Sequence, residues 1–222
     1  MSLIPAGGRI DAVLFDMDGT LICSEDRTDA AVLALLAEHG IEAPAGFDLS
    51  TFHGVTWAAS VPPLVARWPV LDGVDVAGAL QRHFHQTFVT DPPNSISGAV
   101  EALVAASAAV PVAIVTSSNR ETLALVCEQL QITAWVSATV CAEDCLESKP
   151  SPRPFVLAAQ RLGVAPEHCL IFEDSVAGVR AGLAAGASVI AVGPQSGHEP
   201  WIADYNALPI GFFSASVGGS HG

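Results

Sequence analysis

Apolar residues along this chain follow two patterns, and the two alternate. Near-continuous apolar runs occupy residues 10–15, 111–116, 135–140, 169–173 and 187–192. Their length and β-branched content predict strands buried on both faces. Between them, residues 26–39, 98–108, 119–130, 152–162 and 175–185 carry apolar side chains at three- and four-residue spacing, which predicts amphipathic helices. In the first of these, Ala30, Leu33, Ala34 and Ala37 form one apolar face and Gly40 ends the helix. Strands alternating with helices imply an α/β fold, a parallel sheet with helices on both faces. Residues 41–95 break the rhythm. Pro62-Pro63, Pro69 and Pro92-Pro93 interrupt them, so short helices broken by loops are expected there. The chain thus divides into an α/β body, residues 1–22 and 95–222, and a helical subdomain, 23–94, inserted after the first strand.

Composition narrows the partners. Half of the 222 residues are hydrophobic and only 14% are charged, enough for a substantial core. The net charge of −14 argues against nucleic acid or an anionic membrane, both of which attract basic surfaces. Any phosphate must therefore be held by local groups. The five cysteines are odd in number and form no CxxC pair, which fits a reduced, cytoplasmic chain. Residues 1–9 lack the basic start and apolar run of a leader, and no stretch reads as a membrane span. The Gly/Ser-rich end, 214–222, reads as frayed.

The chemistry gathers where strands end. The first strand closes with Phe15-Asp16-Met17-Asp18-Gly19-Thr20. Open α/β sheets bind ligands at the C-terminal ends of their strands. Two neighbouring acids there repel each other unless a cation relieves them, and Mg²⁺, the usual companion of phosphate, does so. Gly19 permits a sharp turn that aims backbone N–H groups at an anion. Thr116 closes the second strand, followed by Ser117, Ser118 and Asn119. These suit phosphate oxygens, and equally they suit a helix N-cap. Glu173 and Asp174 close the 169–173 strand, a second acidic pair that burial would penalise without a cation. Lys149 is the single lysine of a chain that otherwise uses arginine, and it can neutralise clustered carboxylates as a compact charge.

These four motifs, in this order and covering residues 10–193, resemble the haloacid dehalogenase-like superfamily. The 23–94 insert resembles the small helical cap of the subgroup holding β-phosphoglucomutase, phosphoglycolate phosphatase and sugar or polyol phosphatases. The resemblance implies a Rossmann-like core and a Mg²⁺-dependent phosphatase that works through an aspartyl-phosphate. By that resemblance Asp16 is the nucleophile and Asp18 the general acid and base. Asp16, the Asp18 backbone carbonyl, Asp174 and Glu173 hold the metal. Thr116, Ser117, Lys149 and Gly19 surround the phosphoryl group. The second acid, Asp18, sets the chain apart from the dehalogenating members. In the cap, His53, Gly54 and Trp57 are candidates to meet the substrate, a small phosphorylated metabolite such as a sugar or polyol phosphate. A mutase would need a second phosphate site, for which the cap offers Arg67 and Arg82. Hinges are expected near 21–25 and 92–98, and a swinging cap favours a monomer. Two departures stand out. Cys23-Ser24-Glu25 occupies the place of the usual Asp-Ser-Glu, and Arg153 stands where the lysine loop often carries an acid.

Overall fold

The computed structural model describes residues 9–217. Residues 1–8, read above as lacking a leader, and the last part of the Gly/Ser-rich end, 218–222, lie outside the described residues. Six strands form one parallel sheet: β1 (Ala12–Phe15), β2 (Val112–Val115), β3 (Ala138–Val140), β4 (Cys169–Glu173), β5 (Ser188–Val192) and β6 (Trp201–Ile202). Their order is β3-β2-β1-β4-β5-β6. The chain lays down β1, β2 and β3 in one direction, then returns past β1 to place β4 on its other side. The switch of direction between β1 and β4 opens a crevice at the strands' C-terminal ends.

Side-chain alternation divides the sheet between two cores. Val13, Phe15, Ile114 and Phe172 face α4 (Ala99–Ser107) and α5 (Arg120–Gln129). Ala12, Leu14, Val115 and Ile171 face α6 (Arg153–Leu162) and α7 (Val176–Ala184). A short α8 (Phe212–Val217) follows β6, which the sequence pattern did not mark. The run at 135–140 is strand only over Ala138–Val140, because residues 133–135 close a 3₁₀ turn first.

The inserted segment builds a third core of its own from α1 (Glu25–Glu38), α2 (Trp57–Arg67) and α3 (Val76–Thr90), with Val32, Leu35, Leu36, Leu64 and Leu80 inside. Two expectations are corrected here. The buried face of α1 is Thr28, Ala31, Val32, Leu35 and Leu36, while Leu33 is 41% exposed. An alanine-rich helix offers more than one apolar stripe, and the stripe with the larger side chains removes more surface from water. Pro62 and Pro63 do not break α2 but lie inside it. They leave the carbonyls of Ala58 and Ala59 without helical partners, and both residues are exposed to water that can supply one. The Thr56 hydroxyl caps the helix by accepting from the Ala59 N–H, and Leu64 anchors it. Nor are the helices uniformly short, since α3 spans 15 residues.

The two crossings between insert and body run side by side. Cys23 N donates to Asn94 O at 2.9 Å and Ile96 N to Leu21 O at 2.9 Å, while Ile22 bridges to Ser95. No helix among the described residues is long and apolar enough to cross a membrane.

Candidate active site

Strand register assembles the site. Phe15 is level with Ile114 on β2 and with Phe172 on β4. The next residues along, Asp16, Val115-Thr116 and Glu173-Asp174, therefore emerge together at one edge. Asp16 N donates to Phe172 O at 2.9 Å, which fixes the turn out of β1. Asp16, Lys149, Glu173 and Asp174 are each at most 2% exposed.

Lys149 ties these acids together. Its Nζ donates to Asp16 Oδ1, to Glu173 Oε1 at 2.7 Å and to Val115 O at 3.2 Å. Burial works against the ammonium charge, but Asp16 and Glu173 outweigh it and hold the lysine above its usual pKa. Glu173 Oε2 accepts from the Ser175 N–H at 2.7 Å and the Ser175 hydroxyl at 3.0 Å. Both Glu173 oxygens are thus occupied, which makes it foremost the partner of Lys149. Asp16 Oδ2 has no hydrogen-bond partner although it is buried. Asp174 Oδ1 accepts only the long bond from Thr20 Oγ1 at 3.3 Å among the described residues. Burial raises the pKa of Asp16, more than Lys149 lowers it. Burial raises that of Asp174 too, and Glu173, Asp16 and Glu25 add to the rise.

Oxygens of Asp16, Glu173 and Asp174 lie within 4.8 Å of one another. The set is all carboxylate, hard donors of the kind that suits Mg²⁺, Mn²⁺ or Ca²⁺. With an unpartnered Asp16 oxygen, and with the pKa values of Asp16 and Asp174 raised by burial and by neighbouring acids, the cluster could hold a cation. Gly19 (φ +78°) completes the fit, since a Cβ there would stand 2.2 Å from Asp174 Oδ2. It would also stand 2.6 Å from Glu25 Oε1, so Glu25 borders the cluster. In the sequence Glu25 is marked only as part of Cys23-Ser24-Glu25, in the place of Asp-Ser-Glu, with no role attached to it.

Asp18 turns its side chain away from that cluster. Ser24 Oγ donates to Oδ1 at 2.7 Å, and Ser118 Oγ and Thr116 Oγ1 donate to Oδ2 at 2.8 and 3.2 Å. Thr116 Oγ1 in turn accepts from Ser118 N at 2.9 Å. Ser24, named in the Cys23-Ser24-Glu25 stretch but given no role there, is therefore a direct partner of Asp18. Ser117, expected at the phosphate, instead donates to the carbonyl of Gly54 at 2.9 Å, joining body to cap. Gly54 (φ +71°) packs so closely on the body that a Cβ would stand 2.3 Å from Ser175 Oγ. His53 Nε2 bonds Asp29 Oδ1 at 2.9 Å, and Trp57 packs edge-on against Phe84 at 5.6 Å.

With the cap seated in this way, the cavity bounded by Asp16, Asp18, Gly54, Trp57, Ser117 and Ser118 is only about 30 Å³. That admits a water molecule or two but not a sugar, for which pockets of about 300 Å³ or more are usual. Beneath Asp16, the ring of Tyr205 packs on Phe15 and Phe172, with its hydroxyl buried and unpartnered among the described residues. Burial and the nearby acids raise its pKa. No motif signalled it.

Buried carboxylates around one lysine, at the switch point of a parallel sheet and roofed by a helical insert, define an α/β enzyme of acid-based chemistry. The chain matches the haloacid dehalogenase-like hydrolase family over residues 10–186, and it belongs to that family. It is similar to hexitol phosphatase A of Escherichia coli, 34% identical over 186 residues that cover 83% of each chain. It is also similar to a phosphoglycolate phosphatase of Xylella fastidiosa, 30% identical over 203 residues and 86% of each chain. In fold it resembles β-phosphoglucomutase from Clostridium difficile, with a TM-score of 0.79, 20% identity, and coverage of 94% of this chain and 97% of that one.

Proposed function

We propose that this enzyme hydrolyses the phosphate monoester of a small sugar or polyol, with residues 23–94 as a mobile cap over a body of residues 1–22 and 95–222. The observation that carries the reading is Asp16. One of its oxygens is anchored by Lys149, and the other is buried, unpartnered and beside the cavity. An oxygen so placed is a nucleophile held at a fixed angle.

Asp16 Oδ2 forms a bond to phosphorus as the bond from phosphorus to the alcohol oxygen breaks. Asp18, on the cavity side, gives its proton to the departing alkoxide. Water then enters, and Asp18 takes a proton from it as the water oxygen bonds phosphorus and the Asp16–phosphorus bond breaks. The net change is ester plus water to alcohol plus phosphate. Ser24, Thr116 and Ser118 aim Asp18 throughout. Lys149 stabilises the phosphoryl oxygens, whereas Thr116 donates its hydroxyl proton to Asp18, and the N–H groups of residues 19–22, expected to face an anion, are engaged within the turn by Met17 O and Ile22 O. Asp16, Asp174, the Asp18 carbonyl and the flank of Glu173 would hold Mg²⁺, which neutralises phosphoryl charge during transfer.

The similarity to hexitol phosphatase A supports the substrate class, and phosphoglycolate is the nearest alternative. The cap's own cations do not favour a mutase. Arg67 lies over the Trp68 ring at 5.8 Å and Arg82 faces Asp75 at 3.7 Å, and neither lines the cavity at Asp16. The five free thiols support a reducing compartment, the cytoplasm. A monomer leaves the cap free to swing. The test is phosphate release from hexitol, hexose, pentose and glycolate phosphates, with and without Mg²⁺, beside Asp16→Asn. Mg²⁺-dependent release that the substitution abolishes is expected. Conversion of β-glucose 1-phosphate to glucose 6-phosphate without release would replace this reading with the mutase.

A further inference from the structure

A second cavity, of about 400 Å³, opens between the cap and the body, with Asp174 as part of its wall. Thr51, His53 and Val55 line it from the cap, and Ser175, Val176 and Arg180 from the body. Val55 also borders the small cavity at Asp16, and so does Gly54. The turn of residues 53–55 is therefore the wall between the two, and a small lift of the cap joins them. This second space is large enough for the remainder of a small metabolite whose phosphoryl group sits at Asp16.

Arg180 is set apart by its place beside the cavity and not by the lack of an ion pair, since Arg67 and Arg153 make none either among the described residues. Arg9, Arg27, Arg82, Arg120 and Arg161 all pair with carboxylates. Arg180 makes no ion pair and no side-chain hydrogen bond among the described residues. It stands one turn along α7 from Val176, on the face that lines the cavity. In a chain with 23 acids and nine lysines and arginines, a guanidinium left unpaired beside a cavity is a charge awaiting a partner. A planar guanidinium matches a carboxylate or a phosphate, which it can grip through two parallel hydrogen bonds.

We propose that this second cavity is a subsite for a distal acidic group of the substrate, a carboxylate or a second phosphate, with Arg180 as its specificity-determining residue. The inference rests on the phosphatase reading and narrows it. Among sugar- and polyol-derived esters, the enzyme prefers phosphorylated hydroxy acids or bisphosphates to neutral ones. The negative field of the whole chain strengthens the discrimination, because a second anion binds well only where a local cation meets it.

Non-hydrolysable phosphonates test this without requiring turnover. Calorimetry in Mg²⁺ would compare carboxyalkylphosphonates, from phosphonoacetate to 5-phosphonopentanoate, with alkylphosphonates of equal length, and bisphosphonates with both. At least one chain length should bind about tenfold to a hundredfold tighter with its distal acid than without it. The better of the carboxylate and bisphosphonate series names the acid. Arg180→Met should bring that ratio close to one, and Arg180→Lys should keep part of it. Arg180 is exposed, so an unchanged melting temperature would show that the variants fold. A ratio near one in the wild type, or one that Arg180→Met leaves intact, overturns the subsite and spares the phosphatase reading. Failure of every phosphonate to bind overturns both.

Discussion

Lys149→Met removes one charge from the most heavily loaded position in the molecule. The lysine side chain is buried and faces two buried carboxylates, Asp16 and Glu173. Methionine fills similar volume, so the loss is electrostatic rather than a cavity. Removing one partner from a buried ion pair costs about 3–5 kcal/mol, because the remaining charge is left unpaired. For a chain of this size each kcal/mol moves the melting temperature by about 2–4 °C, so a fall of about 6–20 °C is expected in EDTA.

The pH dependence supplies the sharper test. Burial already raises the Asp16 pKa, and Lys149 is the chief influence opposing it. Without the lysine, the folded protein holds the Asp16 proton still more tightly. A carboxyl whose folded pKa is raised contributes its full stability below the unfolded value, about 4, and loses it as pH rises through the folded pKa. The variant should therefore lie close to wild type at pH 4.5 and fall steadily behind it toward pH 8. Urea unfolding at a series of pH values measures this. A deficit under about 1 kcal/mol at pH 8, or one that does not change with pH, would refute the claim that Lys149 compensates the buried acids.

The same sign governs the metal-free wild type. Asp16 and Asp174 both have raised pKa values, so in EDTA the melting temperature should decline as pH rises above about 4. Saturating Mg²⁺ should reverse the decline, with a larger gain at pH 8 than at pH 5, and equal gains would count against these carboxylates as ligands. Gly54→Ala puts a methyl group where Ser175 Oγ lies 2.3 Å away and the backbone has φ +71°. The cap should then fail to seat, lowering kcat by about tenfold or more while the melting temperature falls by only a few degrees. Wild-type kcat in that variant would show that this contact is not part of the working closed state.

Much of this molecule could be read from the chain, for a physical reason. A strand in a parallel sheet is buried on both faces, so its sequence is an unbroken apolar run and the polar residues that end it stand out. Asp16, Thr116 and Glu173-Asp174 were visible in this way, and parallel register then brought them to one edge. The cap was less legible. The face of α1 was misassigned because alanines at 30, 34 and 37 complete a helical stripe without contributing much buried surface, and Val32, Leu35 and Leu36 determine the packing. Proline lowers helix propensity wherever it stands, but Pro62 and Pro63 fall where the orphaned carbonyls reach water. Ser24 and Glu25 stand out in the chain only as the retained part of the Asp-Ser-Glu place, with no role attached to either. Their nearness to Asp18 and Asp174 depends on how α1 leaves the first hinge, which spacing does not encode. Tyr205 reaches the underside of the site from beyond residue 186, where the family match ends.

The central claim is that Asp16 itself carries the phosphoryl group. The most direct measurement is acid-quenched mass spectrometry of the enzyme during turnover of p-nitrophenyl phosphate in Mg²⁺, with Asp18→Asn alongside. A good leaving group needs no proton in the first step, so Asp18→Asn should still be phosphorylated and should then stall, because Asp18 no longer activates the water. The account predicts a phosphoryl adduct on the peptide bearing Asp16, faint in the wild type and abundant in the variant. Steady turnover with no adduct in either protein, or an adduct on a different residue, would contradict it.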